Sequence, residues 1–367
     1  MRVCKGMSLG LLAVLLAGLS ACSSSSHTAY LSLPNDNGVQ AFRIDNGNAH
    51  FTTIVGSPFY AGNSPGPIVV NPSGTFVYVG NREDNTISLF KINSNIGSLT
   101  EVTPRTNTGL TPFSMAMNSA GSLLFVANEL SSNISVYAVN SGSGALTQVS
   151  GSPFPTPPNP VALAITPSGK YLYVVNSNLS LIFGYSVASS GALQAVPGSQ
   201  FPARAGALAL AIDPKEKYVY VANSTDNTVS VFSINSSTGA LLEITGSPFT
   251  VGTTPISVAV HPTGQYLYIA NNGSSNVTGF TVDPNSGFLT AITNSPFSTG
   301  SGPLFILSDP NGNFLYSFSA TSTTISAFTI TTSTNTTNST TAVLGSLSQS
   351  TQSASTTVVA AGMALAK

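Results

Sequence analysis

An eleven-residue phrase recurs along the chain and limits its fold more than any other feature. It reads N-P-S-G-T-F-V-Y-V-G-N from Asn71, N-S-A-G-S-L-L-F-V-A-N from Asn118 and T-P-S-G-K-Y-L-Y-V-V-N from Thr166. It continues as D-P-K-E-K-Y-V-Y-V-A-N from Asp213 and H-P-T-G-Q-Y-L-Y-I-A-N from His261, with a degraded copy, D-P-N-G-N-F-L-Y-S-F-S, from Asp309. The central aromatic falls at Tyr78, Phe125, Tyr173, Tyr220, Tyr268 and Tyr316, in steps of 47 or 48 residues. One more step back from Tyr78 reaches Tyr30, which opens the second half of the same unit, so the chain holds seven copies. A period of this length is the mark of an array of supersecondary units.

Each unit divides into four strand-like pieces. In the sixth copy these are 256–260, 266–270, 277–282 and 288–293, separated by the turn 261–264, a polar loop 271–276 and the tight turn 283–287. The alternation in V-S-V-F-S-I from Val229 has the period of two that a half-buried strand needs. Four strands per 40–50-residue repeat describe a propeller blade. The expectation is an all-β, seven-bladed β-propeller of four-stranded antiparallel blades. A stacked β-solenoid fits less well, because its periods are shorter and the termini here are of mixed kind. The N-terminal copy lacks a first strand, while the C-terminal stretch 357–365, T-V-V-A-A-G-M-A-L, has no second strand after it. The C-terminal strand is therefore expected to complete the N-terminal blade as its inner strand, which removes exposed sheet edges. The Thr/Ser/Asn tract 331–341 has no composition for a core and is expected to be an extended loop in the last blade.

The first 22 residues stand apart. Arg2 and Lys5 precede an apolar run, 7–16, too short to span a bilayer. The run ends in Leu19-Ser20-Ala21-Cys22, which resembles the bacterial lipobox. That resemblance implies a signal segment 1–22 whose lipobox ends at Cys22, cleavage before Cys22 that leaves it lipidated as membrane anchor, a Ser-rich tether 23–28 and a propeller from 29 to 367. Ser23 after the cysteine favours, by the same resemblance, the outer membrane or periplasmic side of the cell envelope. With Cys4 in the signal and Cys22 lipidated, no cysteine is left for a disulfide, a nucleophile or a metal site.

The chain is 42% hydrophobic and only 6% charged; without Arg2 and Lys5 it carries 9 basic and 12 acidic residues, a net charge of −3. No basic patch exists to neutralise phosphates, so nucleic acid is excluded as a partner. In an antiparallel blade the loops from strand two to three share one face with the blade-to-blade loops. That face carries Arg82, Glu83, Asp84 and Glu129, and propeller ligands sit in the central funnel at such a face. Glu129 is a candidate general base for activating water, and Arg82 a candidate for holding an oxyanion or a carboxylate. Both are also readable as solvated loop residues. Asn81, Asn128, Asn176, Asn223 and Asn271 end the second strands, where they either cap turns or, with Asp84, form a polar funnel ring for a ligand. Asp84, Glu83 and Glu129 offer oxygens of the kind Ca²⁺ takes, yet no His/Asp/Glu cluster has ligand spacing, so no metal and no other cofactor is expected. Of the three histidines, His27 falls in the tether and His50 in the first blade's outer part. His261 fills a turn slot held elsewhere by Asn71, Thr166, Asp213 and Asp309, which argues against a Ser-His-Asp triad. The Phe of the recurring G-S-P-F reads as packing between blades.

Repeated P-x-G-x-Y-x-Y-V-A-N followed by N-T-I-S-V-F resembles the seven-bladed lactonase family, typified by 6-phosphogluconolactonase, and the wider group of Tyr-Val-Thr-Asn-repeat propellers. The resemblance spans nearly all of 27–367. Asn128-Glu129-Leu130-Ser131-Ser132 is similar to the family's N-E-L-S-S segment, and Asn81-Arg82-Glu83-Asp84-Asn85 to its N-R-G-x-N segment, in reversed order. The family's G-P-R-H segment corresponds to Gly302-Pro303-Leu304-Phe305 or Gly66-Pro67-Ile68-Val69, both without the Arg and the His. The resemblance implies a lactone-opening hydrolase. The missing groups and the export signal favour a binding propeller for a small molecule, carbohydrate or protein. Either way the expectation is a monomer.

Overall fold

A computed structural model of the chain describes residues 26–332, 345–356 and 358–366. The signal, Cys22 and most of the Thr/Ser/Asn tract lie outside the described residues. The rest is strand and turn. Seven antiparallel sheets form, one per copy of the repeat. Blade 2 is representative: Pro65–Val70 lies innermost, followed outward by Phe76–Asn81, Thr86–Ile92 and Leu99–Asn107. The innermost strands of blades 3 to 7 are Pro112–Met117, Pro160–Ile165, Ala207–Ile212, Pro255–Val260 and Pro303–Ser308. For the sixth copy the observed strands, Pro255–Val260, Tyr266–Asn271, Asn276–Val282 and Leu289–Ala291, match the expected ones to within two residues at each end.

Closure occurs as the termini implied. Gly362–Ala366 pairs antiparallel with Ser26–Leu33, from Thr28↔Ala366 to Ser32↔Gly362, and becomes the inner strand of blade 1. The boundary of the tether needs correction, because Ser26 and His27 are already in that strand, opposite Asp45 and Ile44. His27 is buried, bonded through Nδ1 to Asn46 Oδ1 and 3.8 Å from the Asp309 carboxylate in blade 7. The contact with Asp309 ties this part of the strand to blade 7, which the Ser-rich composition did not suggest.

The core is distributed. Seven hydrophobic clusters each fill the gap between one blade and the next, such as Tyr78, Leu89, Leu124 and Tyr137 between blades 2 and 3. The repeated tyrosine ties these gaps together: Tyr30, Tyr78, Tyr173 and Tyr268 donate at 2.8–2.9 Å to the carbonyls of Gly97, Gly144, Gly239 and Gly345 in the following blade. Those glycines turn with φ of 74–79°, the left-handed region where a side chain is costly. A Cβ on Gly239 would in addition stand 2.4 Å from the Tyr171 ring.

The S-P-F segments extend the blades. After the outer strand ends, Phe59, Phe154, Phe249 and Phe297 start two-residue strands that rejoin the third strand of the same blade. In the interruption a serine hydroxyl accepts the third strand's free N–H, as Ser152 Oγ does from Val136 N at 2.8 Å and Ser247 Oγ from Val231 N at 3.0 Å. A backbone donor buried there would otherwise lack a partner. The phenylalanines pack into the inter-blade clusters, as their recurrence implied.

Candidate functional site

The seven inner strands surround a central cavity of about 680 Å³, within the usual range for small-molecule sites. Every blade contributes. Ile68, Met115, Val161, Ala162, Leu208, Ala209, Ile256 and Ile306 form apolar walls, and Ala360 with Met363 closes them at the seam. These inner strands read PGPIVV, PFSMAM, PVALAI, ALALAI, PISVAV and PLFILS. Consecutive residues of an inner strand, such as Val161 and Ala162 or Leu208 and Ala209, both border the cavity, so both faces of the strand must be compatible with apolar surroundings. The register shifts by one residue near the start of each of these six strands, a common device for re-aiming side chains beside a site.

Among the described residues Arg82 is the one ionisable side chain lining the cavity. It leaves the loop after Phe76–Asn81, where its N–H is anchored to Ser64 O at 3.0 Å. Its guanidinium carbon stands 4.3 Å from the centre of the Phe113 ring, on the inner strand of blade 3. Its flank rests against Gly66, where a Cβ would come within 2.3 Å of Arg82 Nε, so glycine is needed for the approach. Nε is buried with no hydrogen-bond partner. Desolvation lowers the pKa of Arg82, and the negative charge of Glu129 acts in the opposite sense. The ion pairs among the described residues are His27–Asp309, Arg105–Asp84, Arg105–Glu101 and Arg204–Glu243, and Arg82 belongs to none of them.

The structure sorts the residues singled out by sequence. Arg82 reaches the cavity. Glu129 is half-buried at the adjacent blade's loop, its N–H bonded to Thr111 O at 3.0 Å, and does not line the cavity. Asp84 faces away: its carboxylate accepts from Asn63 N at 2.8 Å and Asn63 Nδ2 at 2.7 Å, and lies 3.6 Å from Arg105 Nη1. Glu83 is exposed, and among the described residues no three His, Cys, Asp or Glu side chains converge as a metal site would require.

The five asparagines do not form a ring at the funnel. Each is fully buried inside its own blade and absent from the cavity lining. Asn81 donates to Thr86 and Ser88 hydroxyls, both at 3.0 Å, and accepts from Gly62 N at 3.0 Å. Asn223 repeats this with Thr228, Ser230 and Arg204 N, while Asn128 and Asn271 use Asn133 with Ser135 and Asn276 with Thr278. Asn176 instead donates to Pro157 O. The amide thus holds the blade-to-blade loop onto the second and third strands, the capping alternative. His261 likewise is a turn residue: Nδ1 meets Thr263 Oγ1 at 2.8 Å, Nε2 meets Gly312 O at 2.9 Å, and Tyr266 packs edge-on against the ring at 5.3 Å. Sequence reasoning overlooked Phe113 and the apolar wall. The signal was present in the inner strands, which carry almost no polar residue on either face.

A closed ring of seven four-stranded blades around an axial cavity defines a seven-bladed β-propeller. The family model described as lactonase, 7-bladed beta-propeller, matches residues 20–163 and 156–360, and the chain belongs to that family. A comparison with curated proteins finds no match. Solved structures resemble it in fold: a candidate 6-phosphogluconolactonase from Bacteroides fragilis is 20% identical with a TM-score of 0.79, over 95% of this chain and 99% of that one. A counterpart from Bacteroides uniformis is 20% identical at 0.78, over 93% and 99%. The periplasmic gluconolactonase of Pseudomonas aeruginosa is 17% identical at 0.75, over 94% and 99%.

Proposed function

We propose that this lactonase-family propeller is a binding protein of the bacterial cell envelope, which takes a small molecule into its central cavity and is held to the membrane by a lipidated Cys22. The observation that carries the binding reading is the make-up of the cavity: apolar walls with Arg82 as the one ionisable lining group. Opening a lactone requires a base to activate water and donors to hold the oxyanion. A guanidinium supplies the second function but not the first, and the Glu129 carboxylate stands outside the lining. The anchoring reading rests on Arg2, Lys5, the apolar run and Leu19-Ser20-Ala21-Cys22, and the periplasmic setting of the Pseudomonas relative is consistent with it.

Hydrolysis of a lactone is the second reading, favoured by family membership. The two separate in one experiment, in which the purified protein is assayed on a panel of sugar and acyl lactones beside Glu129→Gln and Arg82→Ala. The binding reading expects no turnover above the uncatalysed rate. Turnover that falls in both variants would establish the enzyme and refute it. Metabolic labelling with palmitate tests the anchor: the wild type should incorporate label and Cys22→Ser should not.

A further inference from the structure

We propose that the ligand of the axial cavity is an apolar carboxylic acid, a single carboxylate on a hydrocarbon or aromatic body. This rests on the binding reading above and specifies the chemistry that the cavity accepts. Among the described residues the cavity presents one positive group, Arg82, and no second cation, so it suits a ligand of one negative charge. Arg82 is already stripped of water at Nε, which has no partner in the protein, and its plane is held by Phe113 on one side and Gly66 on another. A guanidinium fixed in this way offers its planar fork to a carboxylate, whose two oxygens match two parallel N–H groups. Binding there sets a negative charge beside a guanidinium that burial desolvates, adding to the charge that Glu129 already places near it.

The rest of the cavity selects the body of the ligand. Beyond Arg82 the walls are Val161, Ala162, Leu208, Ala209 and Ile256. Ser114 is among the few polar lining side chains, and its hydroxyl is committed to accepting Leu163 N at 3.1 Å. A sugar acid or sugar phosphate would bring several hydroxyls against walls whose polar side chains, beside Arg82, are Asn35 and Ser114, too few to pair them, and a buried hydroxyl without a hydrogen bond is penalised. A phosphate monoester would also bring close to two charges to one guanidinium. An alkyl or aryl body loses water favourably along the same walls.

Calorimetric titration of the purified full-length protein with octanoate, octanol, gluconate and glucose 6-phosphate tests the proposal. Octanoate should bind at least tenfold more tightly than octanol, with gluconate and glucose 6-phosphate below detection. Arg82→Ala should reduce octanoate affinity at least tenfold and leave octanol unchanged. Ala209→Phe, which fills the wall with Arg82 intact, should weaken both, with circular dichroism confirming that each variant keeps its fold. If Arg82→Ala does not fold, Arg82→Gln takes its place, and the ranking of the four probes on the wild type stands as an independent check. Gluconate or glucose 6-phosphate binding more tightly than octanoate would overturn the assigned ligand class and leave the cavity as a binding site. Octanoate binding unaffected by both the Arg82 and the Ala209 changes would overturn the placement. Failure of all four probes would remove the binding reading itself.

Discussion

The tyrosine at the centre of each repeat offers a matched comparison of a made and an unmade hydrogen bond in nearly the same surroundings. Tyr173 and Tyr268 donate to Gly239 O and Gly345 O, each at 2.8 Å, across a buried inter-blade gap. Tyr220 occupies the equivalent slot in blade 5, is equally buried, and its hydroxyl has no partner. Tyr173→Phe or Tyr268→Phe deletes a bond and leaves a buried carbonyl short of its donor, at a cost of about 1–3 kcal/mol. Tyr220→Phe deletes a hydroxyl that was dehydrated without compensation, so it should be neutral or stabilising by about 1 kcal/mol. Phe125 fills the slot in blade 3, so the ring alone satisfies the packing there. Urea unfolding of the three variants should show lower midpoints for the first two and an equal or higher midpoint for the third, with unchanged slopes. Equal destabilisation by all three would refute the reasoning, because it would mean that Tyr220 gains as much from its hydroxyl as its sister residues do.

Two further outcomes follow from the same interior. Burial pushes the Tyr78 and Tyr185 phenols up to about 12 and raises Tyr30, Tyr173, Tyr220, Tyr268 and Tyr316 as well. A folded-state pKa above the unfolded one means stability that is complete below about pH 10 and is lost as pH rises through the folded values, at about 1.4 kcal/mol per pH unit for each tyrosine involved. Phenolate absorbance and far-ultraviolet circular dichroism should therefore change together above pH 10, and free ionisation of these phenols near pH 10 with the fold intact would contradict the burial argument. Asn223→Ala should cost about 2–4 kcal/mol by removing its bonds to Thr228, Ser230 and Arg204 N, while cavity binding of octanoate at a temperature where the variant is folded stays unchanged. Lost binding with undiminished stability would restore the asparagines to the ligand site.

Much of the fold was legible because the repeat states it seven times over. The turn, the aromatic strand and, in five copies, the terminal Asn recur at a fixed step, and those copies share one local solution: a left-handed turn residue, a buried strand and a capping amide. Where a copy departs from the pattern, a local contact compensates. Glu216 stands in the glycine slot at φ 59° and bonds through its carboxylate to Ser168 N and Oγ of the preceding blade. The site was less legible. Polar residue types at loop positions drew attention to Asn81, Asp84 and Glu129, but neither residue type nor loop position reveals whether a side chain turns to the axis or back into its blade.

The sequence by itself determined the number of blades, the order of strands within each, and the need for the stretch 357–365 to return to the first blade, because period, alternation and mismatched termini are properties of the chain alone. Only the tertiary structure decided what the axis contains. Seven inner strands from widely separated parts of the chain meet there, and their radial direction depends on closure of the ring, which no local pattern encodes. Closure turns the asparagines inward to their own blades, leaves aliphatic walls on the axis, and sets the Arg82 guanidinium against Phe113, a residue 31 positions away in the chain.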